Sequence, residues 1–344
     1  MESLNFVNLI QAGIFATGIL GGLLLWLTKA KEFRGVAVLL ILIALAACIN
    51  LLEESGITRN VYLISPVFIL LFGPVTYLAA KLLINKKLAK TQFWHLFPAI
   101  PLLLFTSQIY LVIGIGTVWR LFYALLTMLM LLKYKRSLDE ERSDSDDFSL
   151  HWLVWVLAVT AVFNLFDLIR LNFQLAIDYE LNVLGQGINS GVWLVAVMII
   201  IIKLQVQKSA PIRREEPSKP NTSNNSAESD YNSIFQELDQ LITSNQWFLK
   251  PRLTLSDVSN LTGLQTRDIS RTINLVTDKS FNEYINRYRI DFVCATLLEH
   301  TQKPLSDIAS DAGFSSKASF NKVFKLIVGL TPTEYKIQKS LESR

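Results

Sequence analysis

Two clusters of hydrogen-bond donors stand out by residue type and spacing. Arg267, Ser270, Arg271 and Asn274 form the first; Lys317, Ser319, Asn321, Lys322 and Lys325 form the second. Side chains three or four residues apart share one face of a helix. Arginine and lysine bond guanine O6 and N7, serine bonds several base edges, and phosphate contacts position a protein without reading sequence. The chemistry is therefore binding to nucleic acid. Catalysis has no matching pattern: the chain lacks HExxH, GxSxG and P-loop motifs. Its three histidines and two cysteines (Cys48, Cys294) supply neither a metal site nor a disulfide framework. No enzyme activity, cofactor or metal is expected. A plainer reading is that these residues only solvate helix faces, since residues 231–344 carry 14 basic against 12 acidic groups and show no bulk basic patch.

The elements that must position the donors are legible. The donors need helices over 265–276 and 316–327, with Ile269, Ile273, Phe320, Val323 and Phe324 facing inward. In the second unit Ala309 lets two helices approach closely, and Gly313, four residues on, supplies the positive φ of a tight turn above Phe314. Ser259 and Gly263 repeat that spacing in the first, their glycine 50 residues before Gly313. Ile234, Leu238, Leu241 and Ile242 recur at helical spacing. Thr254 with Asp257 and Ser280 with Glu283 predict helix caps, the latter opening a long helix to about Leu298. Thr331-Pro332-Thr333-Glu334 predicts a third cap, with proline at the first helical position.

On these residues the segment 250–337 resembles the DNA-binding domain of the AraC/XylS family of bacterial transcription regulators. The resemblance is carried by Phe281-Asn282-Glu283-Tyr284-Ile285-Asn286, Arg289-Ile290, Leu297-Leu298 and Ile308-Ala309. It continues through Gly313-Phe314-Ser315, Phe320, Val323-Phe324-Lys325, Gly329 and Thr331-Pro332-Thr333-Glu334-Tyr335. Lys322 and Lys336 stand where the family usually has arginine, Asp278 where glycine is common and Val293 where alanine is common. The resemblance implies two recognition helices in successive major-groove faces of double-stranded DNA, about one turn apart. By place in the family motif, Arg267, Ser270 and Arg271 would reach bases from the first helix, and Lys317, Ser319 and Lys322 from the second. Asn321 and Lys325 would hold phosphates.

The rest of the chain has a different composition. Hydrophobic residues make up 51% and charged residues 18% of the whole, below the ~25% charge of a soluble domain. A membrane crossing needs about 20 apolar residues, and seven stretches qualify: 4–28, 35–52, 61–84, 93–113, 116–132, 150–172 and 183–204. The first has no basic region before it and no small-residue cleavage site, so it reads as a retained span. Every second connection is basic: Lys29, Lys31 and Arg34; Lys81, Lys86, Lys87 and Lys90; Lys133, Lys135 and Arg136; Lys203, Lys208, Arg213 and Arg214. The alternate connections (53–60, 114–116, 173–182) hold Arg59 alone. Basic loops stay in the cytoplasm, which places the amino terminus outside and the carboxyl terminus inside.

Residues 205–230, rich in proline, serine and asparagine, read as a disordered linker. The expected fold is all-α: a seven-helix transmembrane bundle (1–204), the linker, and a cytoplasmic double helix-turn-helix domain (231–344). Polar groups gather toward the predicted outer side: Gln11, Glu53, Glu54, Arg120, Asp167, Arg170, Gln186 and Asn189, with Asn8 and Asn164 near them. Ionisable groups inside a bilayer are costly and often mark a ligand site, so these residues suggest a pocket for a small-molecule or lipid signal. Placement near headgroups is the plainer alternative. Gly18 with Gly22, and Gly187 with Gly191, allow close helix packing, within one bundle or in a homodimer. The function expected is a regulator in the bacterial inner membrane. The alternatives are a transporter or membrane enzyme with a regulatory DNA-binding tail, or a reader released by cleavage of the linker.

Overall fold

A computed structural model describes residues 6–55, 57, 64–102, 109–173, 176–207, 228–299 and 303–342. Among them every regular element is helical, apart from one isolated bridge between Arg142 and Thr254. The chain divides into two compact units, Met1–Tyr134 with Leu150–Gln207, and Lys135–Ser149 with Lys208–Arg344.

The first unit is built from α1 (Phe6–Thr28), α2 (Arg34–Glu54), α3 (Ser65–Asn85), a short α4 (Ala99–Leu102), α5 (Ile109–Glu141, up to Tyr134), α6 (His151–Asn172) and α7 (Tyr179–Val206). Leu25, Leu40, Ile43, Val197 and Leu204 form part of its core. Outward apolar side chains are abundant: Leu20, Leu27, Trp155 and Phe166 are each more than 60% exposed. A helix hydrophobic on all sides is one that meets lipid or a large core. Among the described residues six helices are long and apolar enough to cross a membrane.

Those six match the expected stretches except the fourth, 93–113. Of that stretch, residues up to Leu96 lie in a 3-10 helix (Lys90–Leu96), α4 follows, and 103–108 fall outside the described residues. The connection expected at 114–116 is a correction: these residues are helical and belong to α5. The apolar run carries on through Gly114 and Gly116 without a proline, and Gly116 lets α5 approach Ile69 of α3. The first glycine pair works inside the chain. A Cβ on Gly18 would lie 2.9 Å from the carbonyl oxygen of Leu40, and one on Gly22 would lie 3.0 Å from that of Ala37. Only hydrogen allows α1 and α2 to meet that closely. The expected linker is trimmed at both ends, because 205–206 complete α7 and 228–230 begin the next helix; 208–227 lie outside the described residues.

The second unit contains α8 (Glu228–Ser244), α9 (Leu255–Thr262), α10 (Thr266–Thr277), α11 (Phe281–Glu299), α12 (Leu305–Asp311), α13 (Lys317–Val328) and α14 (Pro332–Glu342), together with Lys135–Ser149. It has two cores. Leu238, Ile242, Val258, Ile269, Ile273 and Ile285 fill one; Ile290, Val293, Ile308, Phe320 and Phe324 fill the other. The long helix α11 supplies both and so fixes the separation of the two helix-turn-helix units.

Candidate nucleic-acid interface

Each turn that sets a recognition helix is built as its residues dictate. Gly263 (φ +75°) ends α9 and Gly313 (φ +84°) follows α12, both in the left-handed region. Ser259 Oγ donates to the carbonyl of Leu264 at 2.5 Å, closing the first turn. Thr254 and Asp257 form a reciprocal cap at the start of α9. At the start of α11 the Ser280 amide donates to Glu283 at 2.9 Å, and at α14 the Thr331 amide donates to Glu334 at 2.8 Å. In α13 the Ser319 amide donates to Ser316 Oγ at 3.1 Å. Gly329 (φ +85°) terminates that helix. Asp278 sits at φ +53° and ends α10. That backbone explains why glycine is common there in the resembling family.

Ile269, Ile273, Phe320, Val323 and Phe324 are buried, so the opposite faces of α10 and α13 point out of the cores. Arg267 and Arg271 are exposed on α10, and the Arg271 guanidinium lies 5.2 Å above the ring of Tyr231. Lys317, Asn321, Lys322 and Lys325 are exposed on α13. Ser270 and Asn274 are half-buried. Ser319 departs from expectation, being buried rather than outward. It stands one turn before Val323 and beside Phe320, so it shares the core flank of α13.

Arg289 ties the two halves together. Its guanidinium is 1% exposed and donates from Nε to the carbonyl of Phe248 (2.7 Å) and from Nη2 to that of Lys250 (2.9 Å). It also lies 5.6 Å from the Phe314 ring centroid in the second core. Burial lowers its pKa to about 10, opposed by the nearby Asp144, so it remains charged at neutral pH. In the first half Tyr284 donates to Asp239 at 2.7 Å, and Tyr288 donates to the same oxygen. Burial first, then the bond to Asp239, pushes both phenols up.

Residues outside the expected interface also touch it. Glu140, at the carboxyl end of α5, and Asp146 and Asp147, between α5 and α6, bond to Ser270, Asn274, Lys322, Ser315 and Ser316. Burial would raise the pKa of Asp146, but Lys135 and Lys322 outweigh it and hold the carboxyl below its ordinary value. In sequence this segment reads only as a loop between apolar runs. Its one local signal is the density of acids in DEERSDSDD.

In the first unit the polar residues divide into two sets. Gln11, Arg120, Asp167 and Asn189 line one cavity with Asn164 and Trp193. Its volume is about 210 Å³, below the ~300 Å³ where drug-sized sites begin, so it suits a small ligand. Arg120 Nε and Asn189 Oδ1 have no hydrogen-bond partner there. Glu53, Glu54, Arg170 and Gln186 do not line it. Glu53 accepts from the amides of Ile64 (2.8 Å) and Ser65 (3.1 Å) at the start of α3, and Gln186 donates to Glu54 at 2.6 Å. Arg170 pairs with Asp167 at 2.8 Å.

Two capped helix-turn-helix units on one connecting helix define a bipartite DNA-reading domain. Residues 258–338 match the family described as Helix-turn-helix domain. Regulatory protein SoxS of Salmonella typhimurium is 31% identical over 84 residues, which cover 24% of this chain and 78% of SoxS. HTH-type transcriptional activator AarP of Providencia stuartii is 32% identical over 105 residues, 30% of this chain and 75% of AarP. LumQ of Photobacterium leiognathi is 26% identical over 102 residues, 29% of this chain, and the match spans 41% of LumQ. Through this carboxyl-terminal domain the chain belongs to the AraC family of helix-turn-helix transcription regulators, proteins that are not enzymes.

Proposed function

We propose that this protein is a sequence-specific transcription regulator held in a bacterial cytoplasmic membrane. Residues 1–206 serve as a membrane-spanning sensor, 207–227 as a linker, and 228–344 as a cytoplasmic reader. The observation that carries this is the presence, in one chain, of two helix-turn-helix units and six long apolar helices. The basic connections support the orientation. Two apolar helices, α6 and α7, separate Lys135–Ser149 from the chain after Lys208, and two crossings return a chain to its starting face. On DNA, Arg267, Ser270, Arg271, Lys317 and Lys322 read bases, while Asn274, Asn321 and Lys325 hold the backbone. Ser319, being buried, positions α13.

The signal enters the cavity lined by α1, α2, α3, α5, α6 and α7. Arg120 offers an unpartnered donor and Asn189 an unpartnered acceptor, so a small ligand bearing an acidic group fits. The test is a promoter reporter in cells expressing Arg120→Met or Asn189→Ala at normal membrane levels. Loss of the response to inducing conditions, with basal promoter occupancy retained, is the expected result. An unchanged response in both variants would reject the cavity as the sensor.

A further inference from the structure

The DNA-reading face of the second unit is occupied by its own chain. Glu140 Oε2 accepts from Ser270 Oγ (2.9 Å) and Asn274 Nδ2 (2.8 Å) on α10. Asp147 accepts from Ser315 Oγ (2.8 Å) and Ser316 Oγ (2.9 Å) at the start of α13, and Asp146 accepts from Lys322 Nζ (2.8 Å) within it. Three carboxylates within eight residues, 140–147, thus engage both recognition helices. Between them the backbone is pinned. Asn282 donates to the carbonyl of Ser143 at 2.8 Å, Asn286 donates to the same oxygen at 3.2 Å, and the Ser143 amide donates to Leu253 at 3.0 Å. Arg289 Nη2 completes the anchor on Ser143 Oγ at 3.1 Å. Ser143, Asp144 and Ser145 are buried as a result.

We propose that Lys135–Ser149 is an autoinhibitory clamp, an acidic strap that sits against both recognition helices and must leave before a duplex can enter. The inference rests on the DNA-reading role assigned above. Three of the donors it takes, Ser270, Asn274 and Lys322, are assigned above to the duplex, and the groups that take them carry negative charge, as phosphate does. The segment holds six acidic residues against three basic ones, so while seated it also repels the polyanion. Its covalent position supplies a means of release. It joins α5, which carries Arg120, to α6, which carries Asp167, and both residues line the proposed signal cavity. A ligand that changes the spacing of those helices acts on the two ends of the clamp.

The test uses the full chain in lipid nanodiscs, titrated against a fluorescent 40-base-pair duplex of mixed sequence at low salt. The variant Glu140→Gln/Asp146→Asn/Asp147→Asn removes the three charges with little change of shape. Its apparent affinity should rise roughly 5- to 150-fold, the usual range of coupling between sites. A second variant, Asp147→Cys/Ser316→Cys with Cys48 and Cys294 replaced by serine, locks the clamp when oxidised. It should lose DNA when oxidised and recover it on reduction, which separates a locked clamp from a misfolded reader. Equal DNA binding by wild type and the neutralised variant, or by the oxidised and reduced pair, overturns the clamp and leaves the reader intact. No binding by any form, reduced or neutralised, overturns the DNA-reading role itself.

Discussion

Gly263 and Gly313 hold matching places in the two helix-turn-helix units, yet alanine at each should behave differently. Both residues lie in the left-handed region, at φ +75° and +84°. That conformation costs an L-residue roughly 1–2 kcal/mol. A Cβ on Gly263 meets nothing within 4 Å, so Gly263→Ala should cost about 1 kcal/mol from the backbone alone. A Cβ on Gly313 would stand 2.5 Å from the carbonyl oxygen of Leu249 and 2.9 Å from its carbon. Those atoms are backbone, and the flanking carbonyls of Phe248 and Lys250 are both held by Arg289. With no flexible side chain to give way, overpacking adds roughly 1–3 kcal/mol, for a total of about 3 kcal/mol or more. Hydrogen–deuterium exchange on the intact protein reads this locally. Amides of α9 and α10 should exchange about fivefold faster in Gly263→Ala, and those of α12 and α13 on the order of a hundredfold faster in Gly313→Ala. Equal acceleration in the two variants, or a larger effect at Gly263, would refute the argument from close approach.

Asp278→Gly should stabilise the first half by about 1 kcal/mol, because it relieves a left-handed aspartate and removes a negative charge from a helix carboxyl end; slower exchange across α10 is the readout. Arg289→Leu should cost roughly 3 kcal/mol, leaving the carbonyls of Phe248 and Lys250 without their charged donor; it should loosen both cores together in the same exchange measurement. Asp146 provides a sign test in pH. Its carboxyl lies below its ordinary value, so its contribution to the ion pairs with Lys135 and Lys322 is complete above about pH 4 and is lost only as pH falls through the lowered value. DNA affinity should therefore show no step from this group between pH 6 and 8, as a titration in that window would reveal.

The reader was largely legible because its signals are local. A glycine four residues after a small residue, a serine or threonine three before a glutamate, and apolar residues at helical spacing each report on one turn of chain. Gly263, Gly313, Glu283 and Glu334 accordingly do in the structure what their positions imply. The hydroxyl of Ser319 suits a base edge, whereas its spacing from Val323 places it on the core flank. The junction expected at 114–116 failed for a related reason: glycines in an apolar run mark close packing as readily as a turn. The clamp was not legible at all. Glu140 and Ser270 are 130 residues apart, and Asp147 and Ser316 are 169 apart; no periodicity connects such pairs. The polar residues of the first unit were half legible. Type and position found the polar set, but only packing separates Arg120 Nε and Asn189 Oδ1, which lack hydrogen-bond partners, from Glu53, which caps α3.

The most direct test of a membrane-held reader is chromatin immunoprecipitation of the full-length protein beside a Lys317→Ala/Lys322→Ala variant, with membrane and soluble fractions blotted in parallel. The account predicts discrete peaks that vanish in the variant while all of the protein remains in the membrane fraction. Peaks carried by a soluble carboxyl-terminal fragment, or peaks unchanged in the variant, would contradict it.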